Sequence, residues 1–434
     1  MTDEGAALPR NPLGRRNPLA AVYVSVFLYS VGEAGLHVLV SPYLSQEMHL
    51  SASLIGVVVA VFGTASLLTR LPVGAVYRAR RARTMLVVGG ALSASAFALV
   101  PLVSSPFLFA ILMAVDGVGW SVATTTQLAV LVAGRTSNLS TASAMGWYAG
   151  FTGLGHTAAG ATAAFVADTL GYAAGFLMLA AIPVLATLAL VRAMPPIDES
   201  ASPPETEPRR ERPLFVWRVA GVPAAVWAGV LLMFDINFVN GLVTTFQPVL
   251  ALGAGLTLTQ VGVLASLRSF ASSFVRLGSG VVLARRSGAF LTTPLVVLGA
   301  LAVVLIPSAK ASFLMSAPLF LAIGMSRGLL RVTGSAQAFD GAPDDDRHHG
   351  MTASLLHSGL DLGKLAGPLI GGAVAGLTSL PTMFRTLPLV LLGCYALLEL
   401  AARRSHRVAR EGRGREDEEV ERFDSAEASL DANP

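Results

Sequence analysis

Cysteine and charge are what this chain has least of. Cys394 is the one cysteine, so an internal disulfide and a cysteine-built metal centre are both excluded. Charged residues make up 13% and hydrophobic residues 53% of the chain, whereas a soluble globular chain carries roughly 25% charged residues. One buried helix cannot account for that deficit over 434 residues; it requires many segments whose solvent is lipid. A glycine-rich phosphate-cradling loop is missing, which argues against drive by a nucleotide bound to this chain. So is a nucleophile–base constellation, and the sequence is not read as that of an enzyme; no cofactor or metal is expected. The formal net charge of +4 suggests no nucleic-acid partner, because the basic residues sit in short connectors and tails, where they signal membrane topology.

What the chain has is apolar length and 43 glycines, the latter suited to helices packed closely in a bilayer. A helix needs about 20 mostly apolar residues to cross the hydrocarbon core. That ruler places spans near 19–41, 53–76, 85–103, 107–132, 142–166 and 171–191, then near 222–246, 260–283, 290–306, 313–338, 352–376 and 384–402. The fold expected is all-α and integral to the membrane, with twelve transmembrane helices in two six-helix bundles, residues 19–191 and 219–402. Between them, 192–218 is Pro-rich, charged and without apolar periodicity, a solvated linker. Residues 1–18 and 403–434 are expected to be tails, the second basic and then acidic. The apolar run after Arg15 and Arg16 has no small-residue cleavage site and is read as an uncleaved first span. Connectors after odd-numbered spans hold only Lys310 and Arg385, against 23 Lys and Arg in the other connectors and the tails. Positive residues favour the cytoplasm, so both termini are expected there, in a cell (inner) membrane.

The halves repeat. Leu50, Gly56, Val57, Ala65, Ser66, Arg70, Leu71, Gly74 and Val76 recur without a gap as Leu256, Gly262, Val263, Ala271, Ser272, Arg276, Leu277, Gly280 and Val282. In the same register Gly35, Leu36, Pro42 and Leu44 recur as Gly241, Leu242, Pro248 and Leu250. Two parallel six-helix repeats place a binding site near the bilayer midplane, between the halves.

Three stretches carry a family resemblance. The connector RLPVGAVYRARRAR after span 2 holds Gly74 and the bases Arg78, Arg80, Arg81 and Arg83; its counterpart after span 8 holds Gly280. Span 11 contains GKLAGPLIGG, with Gly363, Gly367, Pro368 and Gly371. Span 1 contains GLHVLVSPYL, Gly35 to Leu44. With the repeat, the sequence resembles the major facilitator superfamily over nearly its whole length, apart from linker and tails, and most resembles the drug-exporter-like branch. The resemblance implies a two-lobed carrier with helices 1, 4, 7 and 10 lining its cavity. The family's signature acid after helix 2 is replaced here by Arg78. Its antiporter motif belongs in helix 5, where this chain has His156 in place of proline, and its helix-4 arginine is absent, with Asp116 nearby.

Ionisable groups within spans cost at least about 2.5–3.5 kcal/mol each and mark function. Here they are Glu33, Asp116, Asp235 and Asp361, with Arg268, Arg327, Arg331 and Lys364. Equal numbers suggest acid–base pairing across the cavity. Asp361 and Lys364, three apart, can neutralise each other on one helix face. Arg327 and Arg331, four apart, need anions: protein carboxylates such as Asp235, or a substrate's acidic group. Arg70 and Arg276 are taken as snorkelling anchors outside the site, and His37 and His156 as packing or hydrogen-bonding residues. The run DDDRHH, Asp344 to His349, is expected to be a solvated loop. Glu33 or Asp235 is the expected proton-coupling acid. The function expected is proton-coupled export, by antiport, of a small amphipathic or anionic molecule, by a monomer whose partners are that substrate, protons and the lipid bilayer. Uptake of an organic anion comes second. An intramembrane enzyme built on Glu33 and His37, or a non-transporting receptor, are the alternatives of a different class, and the repeat counts against the receptor.

Overall fold

The computed structural model describes residues 18–133, 141–193, 222–283, 288–340 and 346–397. It contains twelve long helices among these residues: α1 (Pro18–Gln46), α2 (Ala52–Val76), α3 (Ala82–Leu99), α4 (Pro106–Ala133), α5 (Thr141–Leu170), α6 (Tyr172–Ala193), α7 (Ala224–Leu252), α8 (Leu258–Leu283), α9 (Gly288–Ala309), α10 (Phe313–Asp340), α11 (Asp346–Leu377) and α12 (Leu380–Leu397). Helices are the outcome lipid demands, because each backbone donor and acceptor must find its partner inside the segment. The sharp turns are local chemistry. Ser51 accepts the Leu54 N–H and starts α2, and Gly255, at φ 94°, lets the chain double back between α7 and α8.

The helices match the expected spans with small shifts. α12 begins at Leu380 rather than 384. Asp346 to Gly350, expected in a loop, form the first turns of α11, and Asp344 lies outside the described residues. The expected linker lies outside them apart from the end of α6, as do nearly all of both tails. Ten helices are long and apolar enough to span a membrane by composition alone; α5 and α8 fall short. These two pack on each other between the lobes, so their polar residues meet protein instead of lipid. Outward-facing Leu108, Ile111, Leu177, Leu185, Leu298, Leu305 and Val390 are exposed, as a lipid-facing belt requires.

α1–α6 form one lobe and α7–α12 the other, and the same joints recur in both. A Cβ on Gly117 of α4 would meet the Phe62 carbonyl and the Ala65 side chain of α2. One on Gly324 of α10 would meet the Arg268 carbonyl and the Ala271 side chain of α8. The seams between lobes also repeat. Gly262 of α8 lies against the Gly160 carbonyl of α5, and Gly56 of α2 against the Pro368 carbonyl of α11. At both, any side chain would strike backbone, so only glycine lets the helices approach.

One end of the molecule is sealed. There, Thr259 donates to Asp168 Oδ2 from its backbone N (3.2 Å) and from its hydroxyl (2.6 Å). Ser53 Oγ donates to the Gly372 carbonyl (3.1 Å), and the Ala161 N–H to Ser266 Oγ (2.9 Å). Towards the other end of these helices the seams part: a Cβ at Gly74, Gly146, Gly150 or Gly278 would meet nothing within 4 Å.

Candidate functional site

Between the lobes lies a cavity of about 290 Å³ lined by α1, α2, α4, α5, α7, α8, α10 and α11. Its centre on the first lobe is Glu33, only 9% exposed. Lys364 of α11 donates to Glu33 Oε1 at 2.7 Å, and His156 Nε2 of α5 donates to Oε2 at 3.2 Å. His37, one turn beyond Glu33, holds its Nε2 3.7 Å from Oε1. Lys364 also stands 5.0 Å from the centre of the Phe62 ring, whose face attracts a cation. The Glu33 carboxylate is therefore held by both lobes at once. Among the described residues no three His, Cys, Asp or Glu are grouped closely enough to hold a metal; His156 hydrogen-bonds Glu33, while His37 stands beside it beyond hydrogen-bond distance.

The second lobe presents guanidinium groups. Arg268 of α8 and Arg327 and Arg331 of α10 line the same cavity. Arg268 is 5% exposed and its Nε, fully buried, has no hydrogen-bond partner among the described residues. Arg327 donates to Asn237 Oδ1 at 3.4 Å, while Asn237 donates to the Leu360 carbonyl of α11 at 2.9 Å. Arg327 stands within electrostatic reach of Arg268 and Arg331, and Arg331 within reach of Asp361.

Several expected pairings differ. Asp361 and Lys364 do not neutralise each other: Lys364 is taken by Glu33, and Asp361 Oδ2 stands 3.6 Å from Arg70 Nη1 of α2. The three-residue spacing left both free to reach across the lobe seam, where stronger partners lie. Arg70, set aside as an anchor, thus lines the cavity. Asp235 does not join Arg327 in an ion pair. It borders a separate small cleft among α7, α9, α10 and α12, to which Arg327 presents its other side. Asp116 is buried inside the first lobe, in the neighbourhood of Ser93 and Tyr29, and does not line the cavity. The two histidines that flank Glu33 carried no spacing signal beyond the four-residue step from Glu33 to His37; His156 arrives from another helix.

The motif residues have structural positions. Gly363 and Gly367 of α11 lie against the Phe234 and Phe238 carbonyls of α7, Pro368 against Gly241, and Gly371 against Leu242. Arg78 folds back on the Ala75 and Tyr77 carbonyls (3.3 and 2.9 Å), and Arg83 donates to the Val191 carbonyl of α6 (2.9 Å). Arg81 is exposed in the short turn before α3. Gly280 falls in the last turn of α8.

A family model, the Major Facilitator Superfamily, matches residues 22–353. The chain belongs to that superfamily. Among solved structures, the bacterial homologue of the human lysosomal transporter Spinster, inward-facing and unoccupied, aligns at TM-score 0.65 with 16% identity, over 90% of this chain and 96% of that one. The nucleoside transporter NupG aligns at TM-score 0.67 with 13% identity, over 89% of this chain and 98% of that one. At such identities these two show a shared fold. By sequence alone the chain matches no curated protein. Superfamily membership makes the chain a multi-pass membrane transporter of the secondary kind, and not an enzyme. The cavity, lying between the two lobes of that fold, is its candidate substrate site.

Proposed function

We propose that this chain is a proton-coupled carrier that moves a small amphipathic organic anion by alternating access. The observation carrying this reading is the distribution of charge around the cavity. The first lobe supplies a carboxylate, Glu33, already satisfied by Lys364 and His156. The second supplies Arg268, Arg327 and Arg331, none of which has a carboxylate in ion-pair contact among the described residues. Buried charge of one sign calls for a ligand of the other. Val59, Phe62 and Trp120 on the opposing wall suit the apolar body of such a ligand.

Glu33 is the coupling acid in this reading. A proton on Glu33 removes the charge that holds Lys364, and the freed ammonium becomes available to the anion. Proton and anion then bind together rather than in competition, so an inward proton gradient drives uptake. Export by exchange, expected from the drug-exporter-like resemblance of spans 1 and 11, is the second reading; the span-11 glycines pack α11 on α7 and do not set direction. The orientation with both termini in the cytoplasm, expected from the arginine placement, belongs to the same proposal: the sealed end then faces outward and the chain is captured open to the inside.

The test is transport in proteoliposomes of the purified chain. Glu33→Gln is expected to keep exchange of the anion at equal pH on both sides and to lose acceleration by an imposed pH gradient. Gradient drive undiminished in that variant would sink Glu33 as the coupling acid.

A further inference from the structure

The internal repeat separates charges the fold needs from charges the ligand needs. The gapless register of α1–α2 on α7–α8 sets Arg276 opposite Arg70 and Arg268 opposite Phe62. The matching joints at Gly117 and Gly324 extend the register to α4 and α10, setting Arg327 opposite Trp120 and Arg331 opposite Thr124. An arginine in both lobes, as at Arg70 and Arg276, is part of the shared architecture. Three arginines facing phenylalanine, tryptophan and threonine are not: the sister lobe builds the same places without charge. Conversely, Glu33 faces Val239 and His37 faces Val243. At these positions the charged groups without a charged counterpart thus divide by lobe, Glu33 in the first and Arg268, Arg327 and Arg331 in the second.

Five bases and two acids line the cavity among the described residues. Glu33 is matched by Lys364 and Asp361 by Arg70, which leaves the three arginines of the second lobe. Asp361 also reaches Arg331, and Asp235 borders Arg327 from the separate cleft without an ion pair to it. One substrate carboxylate would leave buried guanidinium charge unmatched. Arg268, whose buried Nε has no hydrogen-bond partner among the described residues, and Arg327, with a long bond to Asn237, present planar forks that suit carboxylate or phosphate oxygens.

We infer that the substrate carries at least two negative charges, as a dicarboxylate or a phosphomonoester, with Arg268 and Arg327 binding its anionic groups and Arg331 completing the charge balance. This rests on the reading of the cavity as an anion site, and not on how protons are coupled. Arginine is favoured over lysine at such a site because its fork bonds two oxygens at once.

The experiment measures protection of the purified full chain against thermal unfolding by four probes: succinate, glycerol 3-phosphate, butyrate and tetramethylammonium. One of the two dianions is expected to protect at concentrations about ten- to a hundredfold below butyrate, the range that one or two charge-assisted hydrogen bonds span; which dianion does so separates carboxylate from phosphate chemistry. Arg268→Phe and Arg327→Trp install the sister lobe's own residues and are expected to weaken dianion protection by a similar factor. Arg327→Lys, which keeps the charge and loses the fork, is expected to fall between. Butyrate matching the dianions, protection by tetramethylammonium, or unchanged dianion affinity in both swaps would overturn the inference. Glu33→Gln separates the readings: it is expected to retain dianion protection even where coupling is lost. Absence of protection by every probe overturns both this inference and the anion carrier itself.

Discussion

Lys364 has its counterpart at His156. The contact of the Gly160 carbonyl with Gly262 mirrors that of the Pro368 carbonyl with Gly56, and counting back four residues on each helix reaches His156 and Lys364. The two sister positions converge on one carboxylate, Glu33, which itself has no sister. Removing one member of a buried pair leaves the other charged and unpartnered, at about 3–5 kcal/mol; Lys364 is 33% exposed, which places the cost at the low end of that range. Lys364→Met is therefore expected to lower stability by about 3 kcal/mol. Adding Glu33→Gln to it is expected to recover most of the loss, as measured by thermal unfolding of the two single variants and the double variant. Additive losses would mean that the pair does not form in the working protein. The same scale explains why the pairing of Asp361 with Lys364 failed as an expectation. A spacing on one helix shows which side chains share a face, but not what stands across from that face.

At the scale of the element, the seams work because two helices carry glycine where they cross. A Cβ on Gly262 would lie on the Gly160 carbonyl, a backbone atom that cannot swing away as a side-chain tip can. Gly262→Val is expected to pry α5 from α8 at the sealed end. A cysteine placed at Ser266, in a Cys394→Ser background because Cys394 is itself exposed, should then label several-fold faster. Gly146→Ala on the same α5, where nothing stands within 4 Å, is expected to change stability by no more than about 0.5 kcal/mol. Equal labelling in the parent and in Gly262→Val would mean that the seam is not held by close approach. Span 11 belongs to this scale as well: Gly363, Gly367 and Gly371 were legible as a small-residue stripe, and the helix they serve is α7.

Over the whole molecule, alternating access would require the sealed end to open, and among the described residues a small set of polar contacts crosses it. Asp168 is the charged one. It lies near the end of α5 and accepts the Thr259 backbone N–H in the first turn of α8, capping a helix of the other lobe and meeting the positive end of its dipole. A helix cap is worth about 1 kcal/mol, so Asp168→Ala is expected to shift the balance between sealed and open states about fivefold towards open. Labelling of a cysteine introduced at Thr257 would read that shift; a rate equal to the parent's would show that the cap does not hold the sealed state. Among the described residues no carboxylate caps a helix across the other seam at this end. There Ser53 meets Gly376 by direct packing and donates to the Gly372 carbonyl, so the two seams are held by different chemistry.

Sequence alone determined the fold class, because apolar runs of about 20 residues span lipid as helices, where strands would need only about ten. It determined the number of helices and the relation between the halves too, since the register from Leu50 to Val76 onto Leu256 to Val282 is visible without coordinates. It also named the ionisable groups that pay for burial and must be used. Tertiary structure decided who meets whom: Glu33 with Lys364 and His156, Asp361 with Arg70, Asp235 and Asp116 away from the cavity. The reason is physical. Hydrophobicity and charge placement along the chain act on each segment by itself, and lipid enforces them locally. The rotation of a helix about its axis is set by close contacts, many at glycine, with helices distant in the chain, and that rotation decides which charges face the cavity.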